Sequence, residues 1–228
     1  MNFGMSPNIE IHLGNVGSCR SSLFKWFIGE NKSAKYCKKI AGENPNTQFT
    51  GIDLNELSVD AQNWQQVQAD FLTGLQRFKD GSVSKISSDL ALGYYMSNND
   101  LPEDIVAKFL PTAHQPVEPG FGFSRLVSLY LRPKDYPKLL QYTQEVLDLC
   151  YEKLLPHCDL VIRADYNGKQ SLMDAAKKSK FNPNDIDISR LAKSDGQYSP
   201  WVEYQLNKFF LWRPQVFELK FKKPANKF

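Results

Sequence analysis

Four aspartates in this chain stand at or near the ends of apolar runs. Asp53 falls near the close of Phe49 to Leu54, and Asp70 near the close of Trp64 to Phe71. Asp89 lies within Val83 to Leu92, and Asp165 follows the run Asp159 to Ala164. A carboxylate at the end of a buried strand accepts hydrogen bonds from hydroxyls or amines of a ligand, because open α/β sheets bind ligands beyond the carboxyl ends of their strands. Upstream of Asp53 lies a small-residue turn, Gly29 to Ser33, containing Asn31. Backbone N–H groups of such a turn, at a helix N-terminus, can approach a phosphate or carboxylate. A turn followed about 20 residues later by a carboxylate that can hold ribose hydroxyls is a nucleotide-binding arrangement.

The elements around these residues agree with that arrangement. Leu23 to Ile28 is a short apolar run, Ala34 to Ala41 is Lys-rich and helical in character, and Asn44-Pro45 breaks it before the run Phe49 to Leu54. Strand, turn, helix and strand in that order make the first half of a βαβ unit.

The whole stretch resembles class I S-adenosylmethionine-dependent methyltransferases, and most of all the tRNA (guanine-N7) methyltransferase family. That family carries an apolar strand, Gly-x-Gly-x-Gly, a helix, Asn-Pro, then Phe-x-Gly-Ile-acid. Gly29, Asn44-Pro45 and Phe49-Thr50-Gly51-Ile52-Asp53 fall in register with it. Asn31 and Ser33 stand in place of the second and third glycines, and Phe27 in place of the acid that usually ends the strand. The family's Asn-Phe-Pro-Asp-Pro-Trp run has no counterpart around Asp89-Leu-Ala-Leu-Gly-Tyr-Tyr. The resemblance covers residues 22 to 222 and implies a Rossmann-like α/β fold: a doubly wound seven-stranded sheet, mostly parallel, with an antiparallel C-terminal strand pair. It implies S-adenosyl-L-methionine as cofactor, held by Gly29, Asn31, Ser33, Asp53, Leu54, Asp70 and Phe71. In this scheme Asp53 takes the ribose, Asp70 the adenine amine, and Phe71 packs on the ring. Asp89, Asp165 and Glu203 are then the residues that position the methyl acceptor, a tRNA base or a small molecule.

With 228 residues, 42% of them hydrophobic, the chain is long enough for one large domain with a sizeable core. A net charge of +3 permits nucleic-acid contact without arguing for it. The cysteines Cys19, Cys37, Cys150 and Cys158 lie far apart and read as reduced structural thiols. Three scattered histidines make no metal site. No targeting segment or membrane-length apolar run stands out, so the expectation is a soluble, cytoplasmic protein.

Residues 1 to 21 read as an N-terminal extension. In it, Ile9 to Leu13 alternates as an edge strand or hairpin before Gly14-Asn-Val-Gly17, with His12 exposed. Glu10, Gly14 and Gly17 could compete as the glycine motif, but Asp53 stands too far beyond Gly14 for the usual unit. Leu57 to Asn63 reads as a turn of helix and Trp64 to Phe71 as the third strand, Asp70 serving either the cofactor or as a helix cap. Residues 93 to 133, rich in Pro and Gly, form a cap over the crevice or a plain insertion. The repeat of Leu139, Tyr142, Val146, Leu149 and Cys150 marks a helix over Pro133 to Leu155. Lys177 to Gln197 reads as a solvated face, with RNA-phosphate contact as the alternative. The two segments SPWVEYQLNKFF and VFELKFK read as antiparallel strands, the last an edge.

Two rivals differ in kind from a methyltransferase. One is a catalytically inactive protein that keeps the fold as a binding module; the other is an NAD-dependent oxidoreductase, against which the incomplete Gly-x-Gly-x-x-Gly pattern counts.

Overall fold

A computed structural model of the protein describes residues 8–14, 30–54, 56–89, 91–92, 136–164, 166–191, 198–207 and 216–225. In chain order these hold β1 (Asn8–Leu13), α1 (Glu30–Glu43), β2 (Thr47–Asp53), β3 (Trp64–Gln68) and α2 (Phe71–Leu75). There follow β4 (Val83–Asp89), α3 (Tyr136–Lys153), β5 (Leu154–Ala164) and α4 (Tyr166–Ala176). A 3-10 turn (Pro183–Asp185), β6 (Ile186–Arg190), α5 (Pro200–Asn207) and β7 (Phe217–Lys222) complete the described elements.

The strands form one seven-stranded sheet in the order β3-β2-β1-β4-β5-β7-β6. Pairings from β3 through β5 are parallel, whereas β7 runs antiparallel to both β5 and β6. This is the expected fold class, a mostly parallel α/β sheet with an antiparallel C-terminal pair. The order reverses between β1 and β4, and in open α/β sheets the ligand crevice lies at such a switch point, beyond the carboxyl ends of the strands.

Residues one apart on a strand point to opposite faces, which separates two environments. On one face Ile11, Leu13, Ile52, Val67, Ile86, Leu160, Ile162, Leu219 and Phe221 are all buried. They pack with Leu72 and Leu75 of α2, Val146, Leu147 and Cys150 of α3, and Leu172 and Ala175 of α4 in one apolar core. The other face carries a smaller cluster: Cys37 and Ala41 of α1 with Phe49, Leu57 and Trp64. Beyond that cluster it is charged. Lys85 meets Glu10 at 3.7 Å, Lys220 meets Asp159 at 2.9 Å and Lys222 meets Asp187 at 2.6 Å, all between neighbouring strands.

The structure corrects several sequence expectations. Asn8–Leu13 is neither an added hairpin nor an edge; it is a central strand paired to β2 and β4. Its alternation of apolar and polar residues reflects a sheet with one dry and one polar face. The expected turn Gly29 to Ser33 is replaced by helix from Glu30 onward, so Asn31 and Ser33 are helical, while Gly29 and the run Leu23 to Ile28 lie outside the described residues. Residues 56–61 carry no helix. The segment 200–207 is a helix rather than a strand, and the strand pairing with β7 is Ile186–Arg190, inside the stretch expected to be a solvated face. β7 is an interior strand, and β6 takes the edge. The expected insertion at 93–133 lies outside the described residues.

The packing of α2 on β2 gives a direct test. A Cβ on Gly74 would overlap Ile52 Cγ2 and stand 3.0 Å from Ile52 Cδ1. Gly74→Ala gains up to about 1 kcal/mol of helix propensity, but overpacking costs about 1–3 kcal/mol. The expected outcome is net destabilisation, seen as a lower urea midpoint with an unchanged slope.

Candidate functional site

At the crevice, the chain leaves β1 through Gly14, whose φ of +77° belongs to the left-handed region that glycine occupies at little cost. Its N–H donates to Ile52 O at 2.8 Å, so the turn after β1 is fastened to the tip of β2. A Cβ on Gly14 would overlap that of Ala91 and lie 3.5 Å from Phe71 Cζ. The turns beyond β1 and β4 and the start of α2 therefore meet at this glycine. Gly14 is a described glycine at this switch point, and Gly17 and Gly29 lie outside the described residues.

Asp53 ends β2 beside this turn and is only 4% exposed. Its carbonyl accepts from Ala69 N at 3.0 Å, and Leu54 O accepts from Gln68 Nε2 at 3.1 Å, so β2 and β3 stay joined beyond their last ladder pair. Asp70 caps α2: its Oδ1 accepts from Leu72 N at 2.9 Å and Thr73 N at 3.2 Å, and the side chain is buried. Of the two readings left open for Asp70, the cap is the one the geometry displays. Phe71 is the first residue of α2 and is buried against the core.

Asp89 ends β4 and forms a three-strand ion cluster. Arg163 of β5 donates from Nη1 to Asp89 Oδ1 and from Nε to Glu218 Oε2 of β7, both at 2.9 Å. Its guanidinium also lies 5.0 Å from the centre of the Tyr198 ring. These residues are register partners, Asp89 opposite Arg163 and Arg163 opposite Glu218, so the cluster follows from strand pairing. Glu203 sits in the first turn of α5, where its Oε1 accepts from Tyr198 N at 3.0 Å. The Tyr36 phenol on α1 is held well above its usual range by burial, with Asp89 adding to the effect.

One row further down, His12 of β1 contacts Ser87 of β4 through Nδ1 at 2.9 Å. Its ring lies 5.8 Å from Phe49 and 5.6 Å from Trp64. Expected to be exposed, His12 has its ring nitrogens shielded; burial lowers its pKa to about 4 despite the nearby Asp89 charge.

The structure thus brings Asp53, Leu54, Asp70, Phe71 and Asp89 to the tips of β2, β3 and β4. Ser33 is buried in α1, Asn31 lies in that helix's first turn, and Asp165 lies outside the described residues. Sequence reasoning weighed Gly14 and Gly17 as a competing glycine motif and set it aside, whereas the structure places Gly14 at the switch point. That reasoning missed Arg163, Glu218 and Tyr198, whose partnership depends on register. Among the described residues, Cys37, Cys150 and Cys158 are free thiols, and burial pushes the Cys37 thiol up to about 12. No group of possible metal ligands occurs among the described residues, and no described helix is long and apolar enough to cross a membrane.

No family model matches the chain, and no curated protein matches it by sequence. Solved structures resemble it distantly. A SAM dependent methyltransferase from Archaeoglobus fulgidus is 14% identical over 96% of this chain and 87% of its own, with a TM-score of 0.48. The 16S rRNA (adenine(1408)-N(1))-methyltransferase from Catenulisporales acidiphilia, a mutant with its cosubstrate SAM, is 10% identical over 97% and 88%, at 0.49. Precorrin-6y C5,15-methyltransferase from Geobacter metallireducens is 11% identical over 96% and 82%, at 0.46. Likenesses this distant assign no chemistry to this chain.

Two outcomes follow from the site geometry. Asp70→Ala should lower stability by about 1 kcal/mol through loss of the cap, with Asp70→Asn retaining most of it, read by thermal unfolding. For His12, the folded-state pKa lies below the unfolded value of about 6.5, so protonation favours the unfolded chain. Its contribution is complete above about pH 6.5 and is lost as the pH falls toward 4, by about 3 kcal/mol in all. Urea unfolding at pH 7 and pH 4.5 should therefore show a smaller pH-dependent loss in His12→Asn than in the unsubstituted protein.

Proposed function

We propose that this protein is an S-adenosyl-L-methionine-dependent methyltransferase. The observation that carries the reading is the pairing of Gly14 and Asp53 at the tips of adjacent parallel strands, at the switch point of a sheet whose last strand is reversed. A positive-φ glycine turn beside a buried carboxylate is chemically suited to a nucleoside, the carboxylate accepting from two ribose hydroxyls. Leu54 and Phe71 supply apolar surface for a base. Asp70 contributes chiefly through α2, since one of its oxygens is already shared by two backbone N–H groups. Asn31 and Ser33 are not part of this reading, because they lie in α1 rather than in the turn.

The cofactor supplies an electrophilic methyl group on a sulfonium. The protein has to align an acceptor with it, and orientation alone can supply much of the rate. Asp89 suits that role, since Arg163 fixes one carboxylate oxygen and the other can accept an N–H or O–H from the acceptor. Asp165 and Glu203 belong to the same acceptor side in this proposal. The acceptor is an RNA base or a small molecule, and a cytoplasmic setting accords with either.

Titration calorimetry of the full chain with S-adenosylhomocysteine and S-adenosylmethionine tests the proposal. Saturable binding is expected, with NAD giving none. Asp53→Ala should weaken that binding at least about tenfold, the worth of a charge-assisted hydrogen bond. Undetectable binding of both adenosyl compounds at millimolar concentration would reject it.

A further inference from the structure

Three side chains on the polar face of the sheet carry buried polar atoms that have no hydrogen-bond partner among the described residues: His12 Nε2, Trp64 Nε1, and both Nε2 and Oε1 of Gln66. They are neighbours. Strand register sets Ser87, His12, Gly51 and Gln66 in one row across β4, β1, β2 and β3. Trp64 precedes Gln66 by two residues on the same face, and its ring lies 5.6 Å from that of His12. Ser87 and His12 are joined at 2.9 Å, so the row is hydrogen-bonded at one end. It is interrupted at Gly51, which has no side chain to link His12 to Gln66.

An unpaired buried amide or indole N–H is costly, and several together on one patch more so. The atoms present are complementary to a small guest. The indole N–H donates, the Gln66 amide both donates and accepts, and His12 Nε2 does one or the other as its Nδ1 partnership with Ser87 dictates. Apolar neighbours in the same cluster, Phe49, Leu57, Cys37 and Ala41, penalise any charged occupant. We propose that His12, Trp64 and Gln66 form an internal binding site for water beside Gly51, where bound solvent completes a hydrogen-bonded row across four strands. Buried waters typically make about three hydrogen bonds to polar groups left without protein partners, and these side chains supply that number. The proposal stands whether or not the protein transfers methyl groups.

The test is nuclear Overhauser spectroscopy on the full-length protein, reading the Trp64 indole N–H against water. Expected is a cross-peak from long-lived bound water, lost in Gln66→Met, which removes the amide at nearly constant volume. That variant should also melt at a lower temperature than the unsubstituted protein. If the indole shows no long-lived water in the unsubstituted protein, or if its cross-peak persists unchanged in Gln66→Met, the proposal is overturned. A rise in melting temperature in Gln66→Met would also overturn it, because removing a truly unpaired amide stabilises a protein.

Discussion

Strand register decides which side chains of this sheet meet the apolar core and which meet charged partners across the strands. With a side-chain period of two, a slip of one residue in any central strand would carry Ile11, Leu13 or Ile162 to the charged face. The same slip would drive Glu10, His12 or Arg163 into the apolar core. Both faces resist the slip, one through hydrophobic burial and the other through cross-strand partners. Asp89–Arg163–Glu218 and His12–Ser87 exist because strand pairing sets these residues side by side. Exposed pairs such as Lys222–Asp187 add little stability, typically about 0–1 kcal/mol each, but their opposite charges still disfavour a wrong register.

The same face bears on the chemistry. Arg163 ties the crevice ends of β4 and β7 together, and Tyr198 brings the start of α5 to the guanidinium. A carboxylate at the tip of β4 is therefore held by neighbouring strands rather than left on a loose turn. Under the proposed function, rigid strand ends suit a reaction in which alignment matters more than proton transfer. On the opposite side of the crevice, the bond from Gly14 N to Ile52 O does similar work for the turn above Asp53.

Much of the fold is legible from hydrophobic period and breakers. The run Phe49 to Leu54, the breaker Asn44-Pro45, the long helix before Leu154 and the carboxylates at the tips of β2 and β4 all follow from local pattern. The mismatches have physical reasons. Ile9 to Leu13 alternates, a pattern usual for half-exposed strands, whereas parallel central strands are usually apolar on both faces; here a polar face in mid-sheet breaks that expectation. Local pattern consequently sets Gly14 after an added edge strand, where the structure has it at the switch point of the sheet. SPWVEYQLN alternates loosely enough to pass for a strand. Yet Pro200 at the first helical position and Glu203 in the first turn are start signals that favour helix. Asp70 is ambiguous in sequence because an aspartate before a short helix is as good a cap as a ligand. The Arg163 cluster and the row through Gly51 depend on which strands lie side by side, which local pattern does not encode.

The position of β7 has a consequence for synthesis. β6 reaches the sheet only through β7, which follows it in sequence and inserts between it and β5. Among the described strands, a nascent chain that has emerged as far as β6 therefore leaves one edge of β5 open and β6 without a pairing partner. Neither can pair until the reversed strand leaves the ribosome. During that interval the half-made sheet offers a backbone template to other chains, and this is the moment at which a holding chaperone would matter most.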